Sequence, residues 1–214
     1  IAAHPGVVEP NVWIWLDPTV GGLDLAAAVL GGIATGALIA RLLGAPVGRW
    51  AHVLTVPLLL AIGAGKLSML AGGSGQGLPT DLAWATAFVG DGPWGSLAAS
   101  VPSHPAQAYE GLATLALALI VAVGSGMGAD ARADGRLLLV AIAAWALIRA
   151  AVSVTWRDPV VAAPLGAGGW TAVVAAGASL ATAVAIAVAG RRARHRRRAA
   201  DDLRWPDPET RPPF

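Results

Sequence analysis

The chain has 214 residues, 56% of them hydrophobic and 13% charged, with 15 Lys and Arg against 13 Asp and Glu for a formal net charge of +2. Soluble domains carry roughly a quarter of charged residues, so this balance, with a mean hydropathy of +0.63, excludes an ordinary water-soluble domain and makes lipid the solvent. The absence of cysteine excludes disulfides, thiolate metal sites and a cysteine nucleophile from this chain. A thiol taking part in any chemistry here must come from a partner.

No charged stretch followed by a short apolar core opens the chain, so no retained signal peptide is expected in residues 1–21. Five apolar runs follow, at about 22–43, 50–71, 107–125, 136–156 and 170–190, each near the roughly 20 residues that a bilayer crossing needs. The expected fold is an all-α integral membrane protein. It has an N-terminal segment over 1–21, a domain of about five transmembrane helices over 22–190, and a tail over 191–214. Ala, Val, Leu and Gly dominate the runs. Gly31, Gly32 and Gly36, and again Gly63 and Gly65, suit close contact between helices, because lipid gives apolar side chains no reason to associate. A general compositional bias toward Ala and Gly explains the same pattern equally well.

Lys and Arg beside short connections mark the cytoplasmic side. Arg41 and Arg49 bracket the first connection, Arg132 and Arg136 the third, and Arg191 to Arg198 follow the last helix, which places all three on one side. The N-terminus, the 72–106 segment and the 157–169 connection then face outward, with Arg157 as the one basic residue in an outward connection. Trp13, Trp15, Trp50, Trp156 and Trp170 fall at helix ends or flanks, where an amphipathic ring suits the headgroup zone. The basic tail and a sequence pI of about 9.9 admit a nucleic-acid arm, but arginines directly after a crossing helix are the ordinary topology anchor and attract anionic lipid. No nucleic-acid partner is expected. Beyond Asp201 the chain is rich in Pro and charge and is expected to be extended or disordered.

The 72–106 segment is too long for a simple hairpin and is expected to fold back over the bundle, with Leu82, Trp84, Phe88, Val89 and Trp94 suited to the outer headgroup layer. Its residue order is informative. Gly65-Lys66-Leu67 leads to Ala71-Gly72-Gly73, then Gly77-Leu78-Pro79-Thr80-Asp81-Leu82-Ala83-Trp84-Ala85, and finally Ser103-His104-Pro105-Ala106-Gln107-Ala108-Tyr109-Glu110. This series resembles the prolipoprotein diacylglyceryl transferase family: a glycine and a basic residue near the end of one membrane helix, a Gly-rich turn, a P-T-D-L-x-W-A stretch, and H-P-x-Q-x-Y-E opening the next helix. The resemblance is strong over 65–110 and weaker over the rest of 21–190, where it rests on Arg41, the Gly44-Ala45-Pro46 turn, Arg149 and Arg157-Asp158-Pro159. It implies a bacterial inner-membrane protein that moves the diacylglyceryl group of phosphatidylglycerol onto the lipobox cysteine thiol of a prolipoprotein, releasing glycerol phosphate. Such a reaction needs a buried cation for the lipid phosphate and a base to generate thiolate.

Several residues depart from the family's pattern. Lys66 stands where the resemblance implies a phosphate-contacting arginine, a point charge in place of a bidentate fork. Met69 stands in place of an asparagine and Ser74 in place of a glutamate, while Ala26-Ala27-Ala28 occupy the position of an H-G-G stretch bearing the essential histidine. Arg149 matches the second essential arginine, with Ser153 in place of its accompanying glutamate. His104 is expected to serve the turn at a helix start, with Pro105 at the first helical position, in preference to acting as a catalytic base. Gln107 and Glu110, three residues apart on one helix face, are expected to satisfy donors from the outward loop.

Ionisable residues inside membrane runs are costly and default to functional hypotheses; Lys66, Arg149, Asp24 and Glu110 qualify. Two arrangements stay open: Lys66 and Arg149 flanking one lipid phosphate, or Lys66 paired with Glu110 and Arg149 with Asp24. His52, the only histidine within a crossing, gives weak support for a haem or chlorin, and no cofactor or metal is expected. Two functional readings follow. The preferred one is a non-catalytic phospholipid-binding or scaffolding subunit of a membrane complex, with Lys66 and Arg149 on the lipid phosphate. The other is an active, divergent transferase with Lys66, Arg149 and His104 as candidate catalytic groups.

Overall fold

The computed structural model describes residues 25–89, 100–126 and 133–202. Helices α1 (Leu25–Leu42), α2 (Val47–Ala71), α3 (Ala106–Gly126), α4 (Arg136–Ser153) and α5 (Ala167–Asp202) form the described bundle, with a two-stranded antiparallel hairpin, β1 (Val160–Ala162) and β2 (Leu165–Gly166), between the last two. Four of them, α2 to α5, are long and apolar enough to cross a membrane. At 1.5 Å per residue the 21 residues of α3 span about 32 Å, close to the hydrocarbon thickness. The apolar runs read from the sequence coincide with these helices to within a few residues except at the end of α5. That helix continues through the whole arginine run to Asp202, so its 36 residues reach about 54 Å, well beyond one crossing.

The centre of the bundle is built from small side chains around a few large ones. Trp145, Leu59, Leu138 and Ile142 are fully buried and packed among Ala26, Ala141, Ala143, Ala146, Ala175 and Ala176. Alanine at these sites brings the helices together, and close approach supplies the dispersion contacts that hold a bundle in lipid. The outer surface is the reverse of a soluble protein: Leu38, Ile39, Leu60, Leu112, Leu119, Ile120, Val174 and Val184 are exposed, as a lipid-facing wall requires.

Glycine placement explains one helix pair well. A Cβ on Gly63 would meet the Leu115 side chain at 2.8 Å and the Gly111 carbonyl oxygen at 3.2 Å, and a Cβ on Gly111 would meet the Gly63 oxygen at 3.1 Å. The α2–α3 contact therefore depends on both. Gly36 likewise receives the Trp50 ring. Gly31, Gly32 and Gly65 meet nothing within 4 Å, so the expected contact stripe is realised at Gly36 and Gly63 only. Helix interiors tolerate Gly at open positions at a cost of about 1 kcal/mol relative to Ala.

The two ends of the bundle differ in construction. At one end Gly48 packs against the backbone of Ala133 and Asp134, and Asp134 takes hydrogen bonds from the Arg136 backbone (3.2 Å) and its Nε (2.8 Å). Partial burial alone would raise the Asp134 carboxyl; the side-chain and backbone bonds from Arg136 outweigh it and hold the group below its ordinary 3.8. The other end bears residues 72–89 and 100–105 and the 154–166 connection, which are tied together. Leu78 N donates to the Thr155 carbonyl (2.7 Å), Gly77 N to the His104 carbonyl (2.7 Å) and His104 N to the Leu78 carbonyl (3.0 Å). Thr86 and Ser103 exchange both backbone bonds. These bonds pin the described parts of the segment, 72–89 and 100–105, to the connection after α4. Asp24, Trp13, Trp15, Trp94 and the segment after Asp202 lie outside the described residues.

Candidate lipid-phosphate site

At that end, three helices each deliver one ionisable side chain to a single point. Lys66 comes from the last two turns of α2, Glu110 from the second turn of α3 and Arg149 from the last turn and a half of α4. Lys66 Nζ lies 2.9 Å from Glu110 Oε2, and Arg149 Nη1 donates to Glu110 Oε1 at 3.0 Å and to Oε2 at 3.1 Å. The side chains are 12%, 1% and 7% exposed for Lys66, Glu110 and Arg149. Both charge arrangements left open by the sequence are modified. Lys66 does meet Glu110, but Arg149 meets the same carboxylate, so the two cations stand side by side with one anion between them.

These three line a cleft of about 450 Å³ together with Gly75, Gln76, Gln107, Trp156, Arg157, Asp158 and Pro159, a volume within the range of small-ligand sites. Trp156 is its aromatic wall. The Arg149 guanidinium carbon sits 4.4 Å from the Trp156 ring centroid and Lys66 Nζ 5.8 Å, cation–π distances that steady both charges and each contribute about 0.5–2 kcal/mol. Arg157 closes the loop side: its Nε donates to the Gly77 carbonyl and its Nη2 to Ser103 Oγ, both at 2.7 Å. A Cβ on Gly77 would collide with the Thr155 carbonyl oxygen and lie 3.0 Å from His104 Cβ, so only glycine lets the backbone pass that close.

Gln107 is 2% exposed, and neither its Nε2 nor its Oε1 has a hydrogen-bond partner among the described residues. It does not serve donors from the outward loop, and neither does Glu110, which faces the two cations. The loop instead uses Arg157 and its own groups, including Gln76 Nε2 to the Thr86 carbonyl at 3.1 Å. A buried amide lacking protein partners costs roughly 1–3 kcal/mol unless a ligand or water completes it.

His104 lies outside the cleft lining. Its Nδ1 is 3.3 Å from the Tyr109 hydroxyl, which also accepts from Trp84 Nε1 at 2.7 Å, while the His104 backbone joins Gly77 and Leu78. Its ring and backbone are both engaged, in the segment just before α3. Pro105 occupies the cap position just before α3, its carbonyl accepting from Ala108 N and Tyr109 N at 2.9 and 3.1 Å, one residue earlier than expected. Pro79 bridges to Ser103, and Asp81 is exposed on the loop surface. Met69, Ser74 and Ser153 also lie outside the lining; Ser153 Oγ donates to the Ala150 carbonyl at 2.7 Å, and Ala26 is buried in the central core. No group of three or more His, Cys, Asp or Glu among the described residues is placed to hold a metal. Trp156, Arg157 and Gln76 were missed as site residues. Arg157 left a signal, as the one basic residue in an outward connection.

Fold and site together define a multi-pass helical membrane protein with a net cationic cleft at one end of its helix bundle. A family-model comparison matches residues 9–189 to prolipoprotein diacylglyceryl transferase, and the chain belongs to that family. No curated protein and no solved structure matched. Family members act on membrane lipids such as phosphatidylglycerol, which agrees with a cleft that gathers cations within a lipid-facing bundle.

Proposed function

We propose that this protein is a non-catalytic phospholipid-binding member of the family, a scaffolding subunit of a membrane complex that holds the phosphate of a phosphatidylglycerol-like lipid at Lys66 and Arg149. The observation that carries this reading is the convergence of those two cations within 3.1 Å of Glu110 at the cleft. Arg and Lys at one point stabilise a phosphate through charge-assisted bonds, and the unpartnered Gln107 amide beside them supplies a neutral donor and acceptor for a headgroup. The absence of transfer chemistry is inferred from the lining. No histidine lines the cleft, and Met69, Ser74 and Ser153 offer no polar partner to it. Glu110, the most buried carboxylate among the described residues, has both oxygens occupied by the two cations. The setting is a bacterial plasma membrane with the loop-bearing end outward and the α5 C-terminus cytoplasmic, supported by the arginine distribution.

A working transferase is the alternative, and Asp158 favours it: a second carboxylate lines the cleft and is half-buried. The deciding experiment incubates purified protein with phosphatidylglycerol and a lipobox peptide, with Lys66→Ala and Arg149→Ala in parallel. The expected result is lipid binding by the wild type, weakened in both variants, without peptide lipidation. Lipidation that both variants abolish would establish the transferase instead.

A further inference from the structure

Three cationic side chains, Lys66, Arg149 and Arg157, and two carboxylates, Glu110 and Asp158, line the cleft. Among the described residues its walls therefore carry one net positive charge. The deeper part has the same sum. Lys66 and Arg149 with Glu110 leave a single positive charge, at positions between 1% and 12% exposed, whereas Arg157 and Asp158 are only half-buried and offset one another. In a low-dielectric setting an unbalanced charge is expensive, so the charge a ligand brings is as strong a criterion as its shape.

We propose that Glu110 is the specificity-determining residue that limits this site to one negative charge, so that it accepts phosphodiester lipids and rejects phosphomonoester lipids. The inference rests on the reading that the cleft holds a lipid phosphate. A phosphodiester carries one negative charge and brings the deep cluster to neutrality. A phosphomonoester carries about 1.5 to 2 negative charges at pH 7 and leaves a surplus anion beside the Glu110 carboxylate. Lysine and arginine each carry several N–H donors, so a phosphate joins the cluster without expelling Glu110. Its carboxylate stays in place as the fixed counter-charge. Without it the same two cations would present two positive charges and match a dianion. Glu110 also fixes geometry, since Arg149 Nη1 bonds both of its oxygens. Size and shape survive in Glu110→Gln, which removes the charge and turns one of the two acceptor oxygens into a donor.

The test compares phosphatidylglycerol with phosphatidate of identical acyl chains, binding to the full chain in detergent by native mass spectrometry. At pH 8 the wild type is expected to prefer phosphatidylglycerol by at least about tenfold, a margin of ~1.4 kcal/mol. At pH 5.5, below the second phosphate ionisation near about 6, that preference should shrink toward parity. E110Q at pH 8 should raise phosphatidate relative to phosphatidylglycerol by at least about tenfold. Equal wild-type binding of both lipids at pH 8, or an E110Q ratio unchanged from wild type, overturns the proposal and leaves the lipid-site reading standing. If the wild type binds neither lipid, that reading falls and takes the proposal with it. Should E110Q fail to fold, the wild-type preference and its loss at low pH decide the matter alone.

Discussion

At the loop-bearing end, Arg149 and Arg157 are held by specific partners: one on a buried carboxylate and an aromatic face, the other on a backbone carbonyl and a serine hydroxyl. At the opposite end Arg41, Arg49 and the six arginines between 191 and 198 are exposed. The same side chain thus performs two kinds of work. Exposed arginines face high dielectric, where an ion pair contributes about 0–1 kcal/mol, and arginines flanking membrane helices in general act collectively, on orientation. Buried arginine acts singly, because removing one partner leaves an uncompensated charge in a medium that cannot solvate it. Net charge near a helix end is therefore a poor guide to function; burial and partner identity separate the two uses.

The sharpest way to break that contrast is Glu110→Ala. It strands Lys66 and Arg149 together in the interior, and a loss of about 3–5 kcal/mol is expected, read as a fall in the detergent unfolding midpoint. An unchanged midpoint would mean the two cations are solvated well enough to need no counter-ion. A smaller effect is expected from Arg157→Ala. Its two 2.7 Å bonds to Gly77 and Ser103 tie the loop to the α4–α5 connection, so a loss of about 2–3 kcal/mol should appear as faster proteolysis within the 72–105 loop, with the helices still protected.

At the other end the expected numbers are smaller. The folded Asp134 carboxyl lies below 3.8, so its contribution is present above that pH and disappears as pH falls through the folded value. With the side chain one-third exposed, solvent screening keeps this under about 1 kcal/mol. Asp134→Asn should flatten the acid limb of the stability curve below pH 4 and change little at pH 7. Smallest of all is replacement of the six arginines of the α5 extension by glutamine, which should alter the unfolding midpoint by less than about 0.5 kcal/mol. Cysteine-accessibility mapping of the same variant should nevertheless reveal mixed orientation.

Much of this was legible in the sequence because lipid imposes a length rule. Each apolar run read from the chain becomes a helix, and H-P-x-Q-x-Y-E falls at the start of α3 as the motif implied. Lys66 and Arg149 stood out because charge inside an apolar run needs a reason. Their meeting on one carboxylate did not stand out. Residue number fixes depth along a helix, but Ala- and Gly-rich helices carry too little polar asymmetry to fix rotation, so α4 could be placed in depth and not turned to face Glu110. For the same reason Gly31, Gly32 and Gly65 looked like contact glycines and are open. Trp156 read as an interfacial ring because its position at a helix end is right for one; its second use, beneath Arg149, depends on how the connection after α4 bends. Gln107 could be placed on the Glu110 face, but its lack of a hydrogen-bond partner among the described residues is a property of the assembled bundle. The helical continuation to Asp202 was missed because the arginine run ends the apolar pattern without containing a helix breaker.

The central claim is that Lys66 and Arg149 hold one lipid phosphate, and it is tested most directly by quantifying phosphatidylglycerol retained per chain after extensive delipidation, in the wild type and in Arg149→Gln. The account predicts about one tightly retained molecule on the wild type and at least tenfold weaker retention on the variant. Equal retention by the two folded proteins would contradict it.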